Sequence, residues 1–122
     1  MKLLRVLSFT LALSASALAS PVVFAHAAMQ TSVPAAGTTV DVAPKEIVLT
    51  FNEDVEPAFS SVALKNTAGK NIELGKLRKD ATNAGILRVD VPSLNAGAYQ
   101  VLWIGVGHDG HRRKGEFTFT VK

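Results

Sequence analysis

Residues 117–122 read Phe-Thr-Phe-Thr-Val-Lys, so that apolar and polar side chains alternate along this stretch. A period of two predicts a strand with one buried and one solvent-facing side, as in an antiparallel sheet. The same alternation occurs in Ile47-Val48-Leu49-Thr50-Phe51 and in Val62-Ala63-Leu64. Together with apolar runs between turn-forming residues, it predicts strands at residues 28–33, 46–51, 60–65, 72–74, 85–91, 98–106 and 117–121.

Turn-forming residues separate these strands at short intervals, and no segment has the period of a helix. The longest early connection, residues 52–60, is acidic, while residues 78–84 form a predicted polar loop. The basic run Arg112-Arg113-Lys114 predicts a solvated turn. Trp103 lies in the longest apolar run and is expected in the core. About seven short strands predict an all-β fold, a Greek-key β-sandwich or barrel.

Residues 1–25 have the composition of a secretory signal peptide. Lys2 and Arg5 give a positive start, an uncharged apolar run follows, and small residues lead up to Ala25. Cleavage there leaves one predicted domain, residues 26–122. Because both basic residues are removed, the formal net charge of +3 falls by two, and the remaining domain is nearly neutral.

Composition disfavours several classes of protein. No second apolar run reaches the roughly 20 residues that cross a bilayer. A nearly neutral domain gives little reason to expect a nucleic-acid partner. The chain has no cysteine, which excludes a disulfide scaffold, a thiol nucleophile and a blue-copper site, since that site requires a cysteine thiolate. A domain of this size without disulfides depends on its apolar core.

The three histidines fall at two places in the chain. His26 would become the first mature residue, so its α-amino nitrogen and its imidazole could bind one metal ion together. His108 and His111 flank Asp109 in a later loop. On an extended chain Asp109 and His111 share a face because they are two residues apart, whereas His108 points the other way. We therefore predict that His26, Asp109 and His111 are metal ligands and that His108 is peripheral.

The predicted ligands, three nitrogens and one oxygen, suit Cu(II), which leads the Irving–Williams order for nitrogen-rich sites. Zinc accepts the same ligands in a tetrahedron and is an alternative. Cu(I) is disfavoured because it prefers sulfur, and residues 26–122 contain one methionine, Met29. Met29 is predicted to be a core residue.

An ordered set of short motifs resembles the CopC family of exported copper-binding proteins. Each motif alone is short, but the set covers nearly all of residues 26–122. The motifs, in chain order, are His26, Pro34-Ala35-Ala36-Gly37, Ile47-Val48-Leu49-Thr50-Phe51 with Asn52-Glu53, Phe59-Ser60, Gly97-Ala98-Tyr99, Trp103, Asp109-Gly110-His111 and Gly115-Glu116-Phe117-Thr118-Phe119-Thr120-Val121.

This resemblance implies a cupredoxin-like Greek-key barrel or sandwich that binds one Cu(II) per chain through His26, Asp109 and His111. The family's acidic residue after a Phe-Ser or Phe-Asn pair corresponds to Glu53, which either reaches the metal or only orients the site. Some members bind Cu(I) with a methionine-rich loop in mid-chain. The corresponding residues here, 66–80, contain neither methionine nor histidine, so a second copper site is not expected.

The resemblance also implies a monomeric periplasmic protein, without catalytic turnover, that serves copper storage, trafficking or resistance. The implied partner is a CopD-like inner-membrane copper transporter. No nucleic-acid partner is expected.

Two other functions fit parts of the sequence. An amino-terminal histidine also binds copper in lytic polysaccharide monooxygenases, so a copper-dependent oxidase or oxygenase is one alternative. The other is a metal-free, immunoglobulin-like interaction module in which the histidines are incidental. Cleavage after Ala19 or Ala27 instead of Ala25 would move or delete His26, so the mature amino terminus distinguishes this module from a metal site.

Overall fold

The computed structural model describes residues 29–122, which form nine β-strands and one short 3-10 helix. In this part of the chain no helix is long and apolar enough to cross a membrane. The predicted signal peptide and the domain boundary at residue 26 lie outside the described residues. The elements are β1 (Met29–Val33), β2 (Thr39–Val40), β3 (Glu46–Phe51), the 3-10 helix (Pro57–Phe59), β4 (Ser61–Asn66), β5 (Asn71–Ile72), β6 (Arg78–Lys79), β7 (Ile86–Asp90), β8 (Gly97–Val106) and β9 (Arg112–Val121).

The strands form two sheets, with the orders β1-β3-β7-β6 and β2-β9-β8-β4-β5. Neighbouring strands are antiparallel except β2 and β9, which run parallel. Strand β3 pairs with β7, and β4 pairs with β8, so strands adjacent in space are distant in sequence. This arrangement confirms the predicted all-β Greek-key sandwich, with nine strands rather than about seven.

Side chains from both sheets fill the space between them. In β3 and β8 every second residue is buried, as the alternation predicts, and Trp103 lies in the core with 8% of its surface exposed. Met29 packs against the same core, in agreement with its prediction. Burial of apolar surface is the main stabilising term for such a domain. The fully buried side chains include Ile47, Leu49, Val55, Leu64, Leu87, Val101 and Phe119.

Two glycines make room for the aromatic side chains of the core. The rings of Phe51 and Trp103 meet edge to face, with centroids 5.2 Å apart and an interplanar angle of 74°. A Cβ on Gly115 would lie closer than 3.0 Å to the Trp103 ring, and one on Gly105 would lie 3.1 Å from the Phe51 ring. Strands β8 and β9 therefore need glycine here if the two rings are to pack.

The solvated turn predicted at Arg112-Arg113-Lys114 is wrong, because these residues begin β9. Strand β9 pairs with β8 over its whole length, from Arg112 opposite Val106 to Val121 opposite Gly97. The side chains of Arg112 and Lys114 are exposed. The charged side chains of Arg112 and Lys114 lie on the solvent-facing side of β9. The backbone pairing of β9 with β8 outweighs the local preference of this segment for a turn.

The predicted polar loop at residues 78–84 contains the short strand β6. Arg78 and Lys79 pair with Arg88 and Leu87 of β7. The strand predicted at 72–74 is the two-residue β5, and β2 was not predicted. A two-residue strand is too short to carry a period, so its neighbours and not its own sequence determine it.

Ion pairs join β3, β6 and β7 on the outer face of the four-stranded sheet. Arg88 Nη1 lies 2.6 Å from Glu46 Oε1, and Arg88 Nε lies 2.6 Å from Asp80 Oδ1. Arg78 Nη2 lies 2.9 Å from Glu46 Oε2. The hydrogen bond from Arg88, followed by the backbone N–H of Thr82, lowers the pKa of Asp80 to about 2. One carboxylate thus ties the loop after β6 to β7.

Candidate metal centre

The turn between β8 and β9, residues 107–111, carries two of the predicted ligands. The N–H of Gly107 donates to the carbonyl of His111 at 3.1 Å, and the N–H of Gly110 donates to the carbonyl of Gly107 at 3.0 Å. Gly110 has a φ of 81°, a left-handed conformation that glycine adopts without steric cost. Gly110 therefore allows the chain to reverse tightly between Asp109 and His111.

Asp109 and His111 are in direct contact. Nδ1 of His111 lies 2.7 Å from Oδ2 of Asp109, and the backbone N–H of His111 donates to Oδ1 at 3.0 Å. That backbone hydrogen bond is the main cause that lowers the pKa of Asp109, and the positive charge of Arg113 adds to it. The carboxylate is therefore ionised near neutral pH. Because Nδ1 contacts the carboxylate, Nε2 is the imidazole nitrogen left to bind a metal ion.

Glu53 borders the same turn. A Cβ on Gly107 would lie closer than 3.0 Å both to Oε1 of Glu53 and to Oδ1 of Asp109. The connection after β3 is held there because Val55 pairs with Gly107 in an isolated antiparallel bridge. Two carboxylates from distant parts of the chain therefore converge on one glycine.

His108 contacts a different carboxylate. Its side chain is 90% exposed, and its Nδ1 lies 4.0 Å from Oε1 of Glu56. The same Glu56 oxygen lies 3.4 Å from Nζ of Lys79. The structure therefore groups Asp109 with His111 and sets His108 beside Glu56.

The described chain begins at the same end of the sandwich. Met29, the first residue of β1, pairs with Phe51, the last residue of β3. Phe51 stands two positions before Glu53, which borders the turn. His26 lies outside the described residues, three positions before Met29.

The donors described at this end are carboxylate oxygens and imidazole nitrogens, which are ligands for both Cu(II) and Zn(II). Asp109 and His111 are brought together, with Glu53 close by. Within residues 29–122 no group of three or more His, Cys, Asp or Glu side chains could hold a metal ion. Two donors of the predicted four-donor site, one from Asp109 and one from His111, thus belong to the described chain.

Sequence reasoning missed three residues that shape this turn. Gly107 leaves space for the two carboxylates, Val55 fixes the acidic connection, and Arg113 adds positive charge beside Asp109. A glycine directly after the predicted strand 98–106 was the one available signal. The pairing of Val55 and the approach of Arg113 depend on the folded topology.

Known proteins resemble this chain over most of its length. A family model described as the CopC domain matches residues 29–122. Protein YobA of Escherichia coli strain K12 is 37% identical over 119 residues, covering 97% of this chain and 96% of that protein. Copper resistance protein C of Xanthomonas campestris pv. juglandis is 34% identical over 125 residues, covering 97% of each chain.

Two further similarities concern a longer protein and a solved structure. Copper transport protein CutJ of Bacillus subtilis strain 168 is 29% identical over 99 residues, which is 80% of this chain and 18% of that protein. The crystal structure of CopC from Methylosinus trichosporium OB3b has a TM-score of 0.75 and 32% identity, covering 80% of this chain and 94% of that chain. By its matched family model, its full-length relatives and its fold, this chain belongs to the CopC family.

Proposed function

We propose that this protein binds one Cu(II) ion at the end of the sandwich where the β8–β9 turn lies. The ligands are the α-amino nitrogen and imidazole of His26, the carboxylate of Asp109 and the imidazole of His111. The observation that carries the proposal is the contact of 2.7 Å between Asp109 and His111. Copper resistance protein C, 34% identical over almost its whole length, supports the choice of metal.

The direction of β1 supports His26 as the remaining ligand. Met29 pairs with Phe51, which leads directly into the connection that carries Glu53 to the turn. Three residues of extended chain span at most about 10 Å. Residues 26–28 are thus proposed to carry the amine and imidazole of His26 to the turn within that span.

The chemistry of the donors favours Cu(II) over Cu(I). Nitrogen and carboxylate ligands suit Cu(II), whereas Cu(I) prefers thiolate and thioether. The lowered pKa of Asp109 keeps this ligand ionised, so little proton competition opposes the metal at this position. Glu53 is close enough to the turn either to touch the ion or to orient its ligands.

The cellular role that we propose is copper holding or delivery in the periplasm by a monomer exported through a cleaved signal peptide. CutJ is named a copper transport protein, and the segment of CutJ that resembles this domain makes up 18% of its longer chain. That arrangement supports transfer to a copper transporter. A CopD-like inner-membrane protein is the proposed partner.

We propose that the bound copper does not turn over a substrate. Asp109 would occupy a coordination position, and a hard carboxylate ligand favours Cu(II) over Cu(I). With ascorbate and oxygen, peroxide release should therefore not exceed that of the same concentration of free Cu(II). Sustained peroxide production or glycan cleavage well above that level would identify the oxidase or oxygenase alternative.

The test of the site uses protein whose first residue is His26, verified by mass spectrometry. Titration with Cu(II), followed by EPR, should give a tetragonal, nitrogen-rich signal that saturates at one ion per chain. His26→Ala, His111→Ala and Asp109→Asn should each weaken binding by roughly tenfold or more. His108→Ala is the matched control and should change neither affinity nor spectrum.

Two results would contradict this proposal. One is a signal that does not saturate at one ion per chain, or an equal loss of affinity in the His108→Ala control. The other is an exported protein that begins at Ser20 or Ala28, as shown by amino-terminal sequencing, because neither product combines a free amine with the imidazole of His26.

A further inference from the structure

A groove runs from the candidate metal turn along the outer face of β8 and β9. The cavity nearest the turn, about 480 Å³, includes Gly110 in its wall. It shares Arg112 with the next cavity, which in turn shares Ile104 and Lys114 with a third cavity of about 460 Å³. The three cavities thus adjoin one another along β8 and β9, and together they are called the β8–β9 groove. Its remaining lining includes Phe59, Val106, Ala63, Leu102 and one acidic residue, Glu116, whose carboxylate accepts a hydrogen bond from Gln100.

The groove is apolar along its floor and ends at an exposed aromatic ring. Ile104 and Leu102 project outward from β8 between the buried residues of that strand. Phe59, in the 3-10 helix, is 73% exposed and lines the cavity beside Gly110. An exposed phenyl ring that continues an apolar floor is a feature of recognition surfaces, where aromatic side chains are enriched.

Two exposed basic residues of the groove, Arg112 and Lys114, form no ion pair within the described chain. Arg78 and Arg88, on the other sheet, each contact carboxylates. Arg112 and Lys114 have no ion pair within residues 29–122, whereas Arg113 lowers the pKa of Asp109 by its charge and donates through Nη1 to the carbonyl of Arg112. An exposed guanidinium and an exposed ammonium group without an internal acid suit the carboxylates of a binding partner.

We infer that the β8–β9 groove is the docking site for an extended acidic segment of a protein partner. An apolar side chain of the segment lies on the floor beside Phe59, and its carboxylates pair with Arg112 and Lys114. Because Gly110 belongs both to the groove and to the turn, a docked partner would lie beside the metal ligands. The inference rests on the proposed function only in identifying this partner as one that exchanges copper.

The shape of the groove favours a protein segment over a lipid surface. A flat layer of headgroups contacts raised surfaces, whereas the apolar residues here line a depression. Residues 52–56 of a second copy of this chain are also acidic, as the inferred partner segment is. A second copy is therefore the main alternative occupant of the groove. The experiment below separates these three occupants.

The probe is the acetylated and amidated peptide Glu-Asp-Leu-Glu-Asp, with Lys-Lys-Leu-Lys-Lys as its charge-reversed counterpart. Titration of metal-free, ¹⁵N-labelled mature protein with the acidic peptide should shift amide signals of the residues that line the groove. The double variant Phe59→Ser/Lys114→Glu should bind the acidic peptide at least tenfold more weakly. The control Val42→Ser/Lys76→Glu removes an equally exposed apolar side chain and another exposed lysine, and should bind normally.

Each outcome supports or overturns the inference. Equal binding of the two peptides, shifts outside the groove, or unchanged affinity in the groove variant would overturn it. Tighter, groove-dependent binding to vesicles with 30% phosphatidylglycerol would assign the groove to lipid, and a groove-dependent dimer in sedimentation would assign it to a second copy. Peptide binding without Cu(II) binding would defeat only the proposed function, and the reverse result would defeat only this inference.

Discussion

At the scale of single residues, Gly107 is the position where the metal turn meets the acidic connection. Its φ is not positive, so an alanine would suffer no backbone strain there, but its Cβ would collide with Glu53 and Asp109. Because the colliding atoms are the ends of flexible carboxylate side chains, Gly107→Ala should lower the free energy of unfolding by at most about 1 kcal/mol, the low end for overpacking. It should also weaken Cu(II) binding at least tenfold because Asp109 must move. Denaturant unfolding and Cu(II) titration measure these two effects.

The matched control is Glu53→Ala, which removes one of the two colliding carboxylates. In combination with Gly107→Ala it should recover much of the lost stability. Unchanged Cu(II) affinity of Gly107→Ala would contradict the close approach of Asp109 to this glycine. The sequence alone predicted that Asp109 and His111 lie on one face, because they are two residues apart. It named Glu53 only by resemblance, since the approach of Glu53 depends on the remote pairing of Val55 with Gly107.

At the scale of elements, Asp80 links β6 to β7. Its pKa in the fold is about 2, below the ordinary 3.8, so the ionised form stabilises the fold above about pH 4. This contribution is lost as pH falls from about 4 to about 2. Asp80→Asn should therefore lower Tm at neutral pH and flatten the decrease in Tm over that acid range. Thermal unfolding by circular dichroism from pH 2 to pH 7 measures both effects.

Asp41→Asn is the control for this prediction. Asp41 lies 3.0 Å from Lys122, but its side chain is 81% exposed, so solvent screening leaves the pair little effect. Parallel Tm curves for Asp80→Asn and the wild type would contradict the assigned role.

The sequence predicted the long strands by their alternation, while β6, two residues long, arises from its pairing with β7. A local period cannot encode a contact of that kind.

At the scale of the whole molecule, the candidate centre joins the two sheets. Strand β1 belongs to the four-stranded sheet, the connection after β3 leads from that sheet to β4 of the other, and the turn 107–111 connects two strands of the five-stranded sheet. The sequence predicted the sandwich and the order of the motifs. That both sheets contribute at one end follows from the pairing of Met29 with Phe51 and of Val55 with Gly107. A metal ion bound there would add a cross-link between two layers that also meet through core packing and the Val55–Gly107 bridge.

Such a cross-link predicts that Cu(II) stabilises the entire domain and not only the turn. A ligand that binds only the folded state at 100 times its Kd adds about 2.7 kcal/mol. For a domain of this size, that raises Tm by on the order of 10–20 °C. A glycine inserted before His26 displaces the amine from the imidazole and should remove at least half of this shift, whereas His108→Ala should retain it. Differential scanning calorimetry with excess Cu(II) or Zn(II) measures the shift. An equal or larger effect of zinc would assign the site to zinc, because the predicted ligands suit both ions in different geometries.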